Sequence, residues 1–396
     1  MKKGVVIGAS KDAIHTIQKA RENGIYVVAL DGNPEAEGFR FANERIVVDI
    51  SDQKRTYVEV EKIKPDFCIP IPIGRYLSTM GFVNDKFGFK GASYAATEVS
   101  TDKFLFHRAL NKAGLRNVQM YLVNDQTNLA DVRIKYPAIL KPRFGSGSRD
   151  IFFVGSDKEL AEGLQKIKEF HEDFILEQAV EGIEYSIDGA VIEGKLQMTL
   201  LRKKIITPLP VRQPVSSFSV IKSEDNSEII ERVQNYMQKV VDVLHYDACL
   251  INADLMINEK EVFAIEAAPR PSGHNLHNVF VPLATGIDIA EQYIKYLTGE
   301  QYCFVTDNVK PIQIRFFDFN NVVVEYVPTE YEIRKKLGDN LIRWECDIKT
   351  GEHLGKVVNG HSIMGRGFFI VNGKDEADLI SKSEWVLAQF KVRLEG

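Results

Sequence analysis

Ile251-Asn252-Ala253-Asp254-Leu255-Met256-Ile257 and Val262-Phe263-Ala264-Ile265-Glu266 are two apolar runs joined by the polar link Asn258-Glu259-Lys260-Glu261. Period-two patterning makes each a strand and the pair a hairpin. Asp254 lies on the face opposite Ile251, Leu255 and Ile257, and Glu266 faces away from Phe263 and Ile265. If Glu259 to Glu261 form a three-residue loop, Asn258 pairs with Val262 and Asp254 stands opposite Glu266. Two carboxylates facing each other across a ladder repel, and a hard divalent cation between them removes the conflict. A two-residue loop would set Asp254 against Ile265 instead, and the alternative to a metal site is two exposed acids on an edge hairpin. Just beyond, Arg270 sits between Pro269 and Pro271, which stiffen the backbone on either side. A guanidinium held rigidly beside a metal can stabilise charge on a transferring phosphoryl group, and the alternative is a structural ion pair.

Upstream, an apolar strand from Tyr136 ends in Lys141 and runs into Phe144-Gly145-Ser146-Gly147-Ser148. Glycines let backbone N–H groups approach phosphate oxygens, serines add donors, and Lys141 supplies a point charge. A flexible hairpin is the other reading of such a loop. Next comes Glu177-Gln178-Ala179-Val180-Glu181-Gly182-Ile183-Glu184. The end of its first strand offers backbone groups to an adenine edge, and Glu184 beyond the link can accept from ribose hydroxyls. The alternative makes Glu184, Ser186 and Asp188 the solvated face of an amphipathic strand.

Residues 1–100 alternate strand and helix signals: Gly4-Val5-Val6-Ile7-Gly8, Tyr26 to Leu30, Ile46-Val47-Val48 and Phe67-Cys68-Ile69, with helical spacing at Ala13, Ile14, Ile17 and Ala20. Such alternation predicts a small parallel sheet with right-handed crossovers. The turn Gly8-Ala9-Ser10-Lys11-Asp12 lacks the later glycines of a dinucleotide fingerprint and reads as a simple strand-to-helix turn. Thr101 reads as the N-cap of a helix reaching about Gly114. Helices are expected over 158–170 and 227–244. From about residue 300, β-rich runs and a helix over 374–391 suggest a separate C-terminal α+β domain. The expected division is 1–100, 101–186, 187–300 and 301–396.

The 396 residues are too many for one core. A net charge of −5, with no basic run beyond three residues, gives no reason for a nucleic-acid or membrane partner. Cys68, Cys249, Cys303 and Cys346 lie far apart, without zinc-ligand spacing, and read as reduced thiols of a cytoplasmic protein. No apolar run approaches the length of a signal peptide core or a membrane span.

Taken in order, Thr101-Asp102-Lys103, Lys141 with its glycine loop, Glu177 to Glu184, and Asp254 with Glu266-Ala267-Ala268-Pro269-Arg270 resemble the ATP-grasp superfamily over roughly residues 1–300. Within it the layout looks most like the carboxylate–amine ligases that join amino acids, and Gly365-Arg366-Gly367-Phe368 supports that placement. The resemblance implies a nucleotide held between two α/β subdomains. It gives Lys103, Lys141 and the loop Gly145-Ser146-Gly147-Ser148 to ATP phosphates, Glu177, Gln178, Ala179 and Val180 to adenine, and Glu184 to ribose. Asp254 and Glu266 fall to magnesium, with manganese as a substitute. Arg270 falls to the phosphoryl group or acyl phosphate, and Ser272, Gly273, His274 and Arg212 to the substrates. Two departures stand out: Ala268 replaces a common asparagine, and Asp150 replaces a common glycine. The expected partners are a small carboxylate and a small amine, with room for a homodimer. The competing readings are a bicarbonate- or formate-activating purine-pathway type and a non-catalytic ATP-binding module.

Overall fold

The computed structural model describes residues 1–145, 150–208, 213–358 and 360–394. Its strands are β1 (Lys3–Ile7), β2 (Tyr26–Asp31), β3 (Glu44–Val47), β4 (Phe67–Cys68), β5 (Met120–Val123), β6 (Ala138–Pro142), β7 (Phe152–Val154), β8 (Phe174–Gln178), β9 (Ile183–Ile192), β10 (Lys195–Ile206), β11 (Pro214–Ser219), β12 (Cys249–Ile257) and β13 (Val262–Ala268). The C-terminal part adds β14 (Ile312–Phe316), β15 (Val322–Tyr326), β16 (Leu341–Cys346), β17 (His353–Leu354), β18 (Gly367–Asn372) and β19 (Lys391–Leu394). The chain forms two compact units, Met1–Val118 with Ser186–Leu201 and Ser223–Asp307, and Gln119–Tyr185 with Arg202–Lys222 and Asn308–Gly396.

In the first unit, β3-β2-β1-β4 form an all-parallel sheet. The apolar runs read from the sequence are its strands, and Val5, Ile7, Val28, Leu30 and Cys68 share a core with Val60, Leu77, Met80 and Val83. Parallel strands buried on both faces carry such continuous apolar runs. The turn after β1 is tied down internally: the Gly8 N–H donates to Leu30 O at 2.7 Å and the Ala9 N–H to Asp31 Oδ2 at 2.7 Å. Gly8 has φ +103°, which a side chain would resist. This is the simple strand-to-helix turn.

Further along the first unit, β13-β12-β9-β10 lie side by side, with the 21-residue helix Glu224–Leu244 and the helix Ile289–Thr298. Strand β9 has a neighbour on each side, and Ser186 and Asp188 on it are fully buried. The solvated-face reading of those two residues is therefore overturned. The expected cap at Thr101 is also corrected. Thr101 ends the helix Tyr94–Thr101, and Asp102 caps the helix Lys103–Lys112 by accepting from the N–H groups of Phe104 and Leu105 at 3.0 and 3.1 Å.

In the second unit, β5-β8-β6-β7 form an antiparallel sheet under the helix Asp157–Ile167. Ser156 caps that helix, and Leu160, Leu164 and Ile167 point into a core with Leu140, Phe174 and Leu176. Spacings of four and three keep those side chains on one stripe. The same unit holds the run β11-β14-β18-β16, over which Phe317, Trp344, Phe369 and Phe390 pack. Among the described residues no helix is long and apolar enough to cross a membrane.

Candidate active-site residues

The hairpin β12–β13 does set Asp254 opposite Glu266, but by a route the sequence did not suggest. Val262 pairs with Ile257, not with Asn258. The Asn258 N–H donates to Glu261 O at 3.1 Å, and Asn258 Oδ1 accepts from the N–H groups of Lys260 and Glu261 at 3.0 and 2.9 Å. That tight turn has the register that, continued, would face Asp254 with Ile265. Between Asp254 and Leu255 the register shifts: Leu255 pairs with Ala264, and Asp254 with Glu266. Ile265 is the extra residue of a β-bulge. A bulge re-aims the side chains that follow it, and here it brings two carboxylates together.

Asp254 is half-buried and Glu266 exposed. Among the described residues no cluster of three or more His, Cys, Asp or Glu could form a metal cage. A pair of carboxylates alone suits magnesium, which takes one or two protein carboxylates and completes its shell with water and phosphate oxygens. Ala268 packs against the core under the parallel sheet.

Arg270 is half-buried and donates from Nη1 to Pro271 O at 2.8 Å. Burial pushes its pKa down, while the carboxylates of Glu266, Asp254, Asp12 and Asp188 push it up. Those four acids act on it electrostatically, and it closes no salt bridge among the described residues. Ser272 and Asp188 are both buried, and the Ser272 hydroxyl donates to Asp188 Oδ1 at 2.5 Å. A Cβ on Gly273 would lie 3.6 Å from Asp12 Oδ2 and 3.9 Å from Pro72, so the loop passes close to the turn after β1. His274 is exposed, with φ +56°.

The sequence did not single out His277 or His15, which the fold brings together. His277 is buried in a single π-helical turn, Leu276–Phe280, edge-on to His15 at 5.9 Å between ring centroids. Burial, reinforced by His15, pulls its pKa down to about 4, so its ring is neutral near pH 7. His15 Nε2 lies 2.8 Å from Asp288 Oδ2. Neither histidine belongs to a spacing motif, so only the fold brings them together.

The second unit holds most of the remaining residues. Lys141 Nζ and Glu177 Oε1 form a buried ion pair at 2.7 Å. Glu184 Oε1 accepts from Lys204 Nζ at 3.0 Å. Two backbone donors offered to adenine are used internally: the Gln178 N–H bonds Gln119 O at 3.0 Å and the Ala179 N–H bonds Pro137 O at 2.8 Å. Any adenine contact along this stretch therefore uses its carbonyls, Val180, or side chains. Gly145 has φ +124° and Asp150 φ +57°. Asp is one of the few side chains that tolerate the left-handed region. Ser146, Gly147, Ser148 and Arg212 lie outside the described residues. Lys103, in the first unit, is the first residue of its helix.

Residues 134–278 match the ATP-grasp domain. The D-alanine–D-alanine ligase of Campylobacter lari is 26% identical over 222 residues, covering 52% of this chain and 63% of that ligase, so the match spans less than two thirds of the relative. In fold, the chain superposes on the L-amino acid ligase of Bacillus licheniformis with a TM-score of 0.79 at 14% identity, over 100% and 99% of the two chains. It superposes on the N5-carboxyaminoimidazole ribonucleotide synthetase of Thermotoga maritima with a TM-score of 0.71 at 20% identity, over the whole of both. The bulged acidic hairpin, the arginine after it and the lysine strand ahead of it all lie within residues 134–278, the part of the chain that matches the ATP-grasp domain.

Proposed function

We propose that the chain is an ATP-dependent carboxylate–amine ligase acting on amino acids through an acyl phosphate. The observation that carries this reading is the opposition of Asp254 and Glu266 across the bulge, with Arg270 two residues beyond the strand. In this reading Lys103, Lys141 and the glycine loop bind the ATP phosphates, Glu184 takes the ribose, and Ser272, Gly273 and His274 meet the substrates. Magnesium at Asp254 and Glu266 would offset charge on the phosphate oxygens.

A carboxylate is a poor electrophile because neither oxygen leaves. When one of its oxygens attacks the terminal phosphorus of ATP, ADP departs and that oxygen becomes a leaving group. Arg270 meets the negative charge gathering on the transferred group. The amine lone pair then attacks the acyl carbon, phosphate leaves, and the nitrogen loses a proton. The products are an amide, ADP and phosphate. None of the proposed site residues needs to form a covalent bond to the substrate. Amino acids are favoured as substrates by the names of two similar proteins, a D-alanine–D-alanine ligase and an L-amino acid ligase. Four free thiols favour a reducing, cytoplasmic setting.

A screen of amino-acid pairs for ADP release tests the proposal. Release that requires both a carboxylate and an amine supports it. Turnover driven by bicarbonate alone would mark a carboxylase-type enzyme, and tight ATP binding with no turnover for any acceptor a regulatory module.

A further inference from the structure

Among the described residues, strand β13 is the last strand on its side of the sheet, with β12 as its one strand neighbour. The outer edge of such a strand presents N–H and C=O groups that the ladder leaves unbonded. At Ala264, the last residue paired before the bulge, side chains take both. The Ala264 N–H donates to Tyr236 Oη at 3.0 Å, and Ala264 O accepts from Arg116 Nη1 at 3.0 Å. Arg116 is 4% exposed. Tyr236 also donates to Leu115 O at 3.3 Å, which joins the two clamping residues through adjacent backbone. One turn earlier on the same helix, Arg232 Nη2 donates to Asn258 O at 2.8 Å and ties down the loop end of the hairpin.

The next residue after Ala264 is Ile265, the one the register passes over. The tight turn at Asn258 to Glu261 does not supply the shift; continued, it would pair Asp254 with Ile265. A one-residue change of register moves every following side chain to the other face. Something outside the ladder must therefore favour the bulged arrangement, the more so because the bulge brings two like charges together. We propose that Tyr236 and Arg116 are positioning residues, which grip Ala264 from outside the sheet and hold the bulge that sets Glu266 opposite Asp254. The inference rests on the reading of those two acids as magnesium ligands.

The test uses the full chain with saturating non-hydrolysable ATP analogue and titrated Mn2+, free ion being read by electron paramagnetic resonance. Tyr236→Phe removes one oxygen, and Arg116→Met removes the donor, while Arg116→Lys keeps a donor. Loss of one such hydrogen bond should raise the Mn2+ dissociation constant about five- to tenfold in Tyr236→Phe. Analogue affinity at saturating Mn2+ should stay unchanged, and Arg116→Lys should bind Mn2+ more tightly than Arg116→Met. A purely structural role would lower the melting temperature of Tyr236→Phe and leave its Mn2+ affinity at the wild-type value, which overturns the proposal. Asp254→Asn separates the two layers. If it too leaves Mn2+ affinity unchanged, the ligand reading itself fails. If it weakens Mn2+ while Tyr236→Phe does not, the positioning role alone falls.

Discussion

The first unit holds its acids by strand register, whereas the second holds its charges in ready-made ion pairs. Asp254 and Glu266 face each other as like charges, with Arg270 near but not bonded to either. Lys141 and Glu177, and Glu184 and Lys204, are each joined at 3.0 Å or less. The difference is one of stored conflict. Two facing carboxylates repel, and a divalent cation bound between them relieves that repulsion. A buried ion pair is already satisfied, and opening it costs stability. Stability and function should therefore separate in the first unit and travel together in the second.

Substitutions can break or sharpen that contrast. The largest effect is expected at the two acids proposed to hold magnesium. Asp254→Asn and Glu266→Gln should each lower turnover by roughly 10³-fold or more, the upper end of what loss of an electrostatic partner costs. Their melting temperatures should stay level or rise, because a repulsion is removed. Near-full activity in either at low magnesium would sink the metal assignment. Next, Lys141→Met should destabilise the protein by about 3–5 kcal/mol, since the buried carboxylate of Glu177 loses its ion pair with Lys141. Lys141→Met with Glu177→Met should recover part of that loss. Denaturation showing no change in the single variant would remove the contrast.

Arg270→Lys tests whether the guanidinium acts on the reacting group. Lysine keeps the charge and lacks the planar fork, and the expected loss is about 2–4 kcal/mol of transition-state stabilisation. An unchanged kcat would make Arg270 structural. Smaller still is the effect of Glu184→Ala on ATP. The ribose bonds assigned to this carboxylate are charge-assisted and worth roughly 1.5–3 kcal/mol. Calorimetry should show weakened ATP with little change for the carboxylate substrate. Equal ATP affinity would leave Glu184 only as the partner of Lys204.

Much of this could be read from the sequence because period and polarity carry it. The four apolar runs of the first 70 residues became a parallel sheet in the expected places. The acids of the hairpin were found because a carboxylate interrupts each of two apolar strands. Their register was right for a reason the sequence does not display. The loop has the even count, and a bulge at Ile265 restores the pairing. Bulges leave no period in a single sequence when tertiary bonds, here to Tyr236 and Arg116, hold them. Ser186 and Asp188 looked solvated because their polarity alternates, yet β9 lies between two other strands. Asp188 is buried against the Ser272 hydroxyl. The cap at Asp102 was misplaced by one residue because Thr101 and Asp102 are both good caps, and only geometry separates them. The pairing of Lys141 with Glu177 depends on β6 lying beside β8, a contact across 36 positions.

In the proposed reaction a carboxylate oxygen passes to phosphate. That transfer is tested most directly by supplying the active carboxylate substrate with both oxygens labelled as oxygen-18, running the reaction to amide, and weighing the released phosphate. An acyl-phosphate route gives ADP as the nucleotide product and one labelled atom in each phosphate. Release of AMP, or phosphate carrying no label, would contradict it.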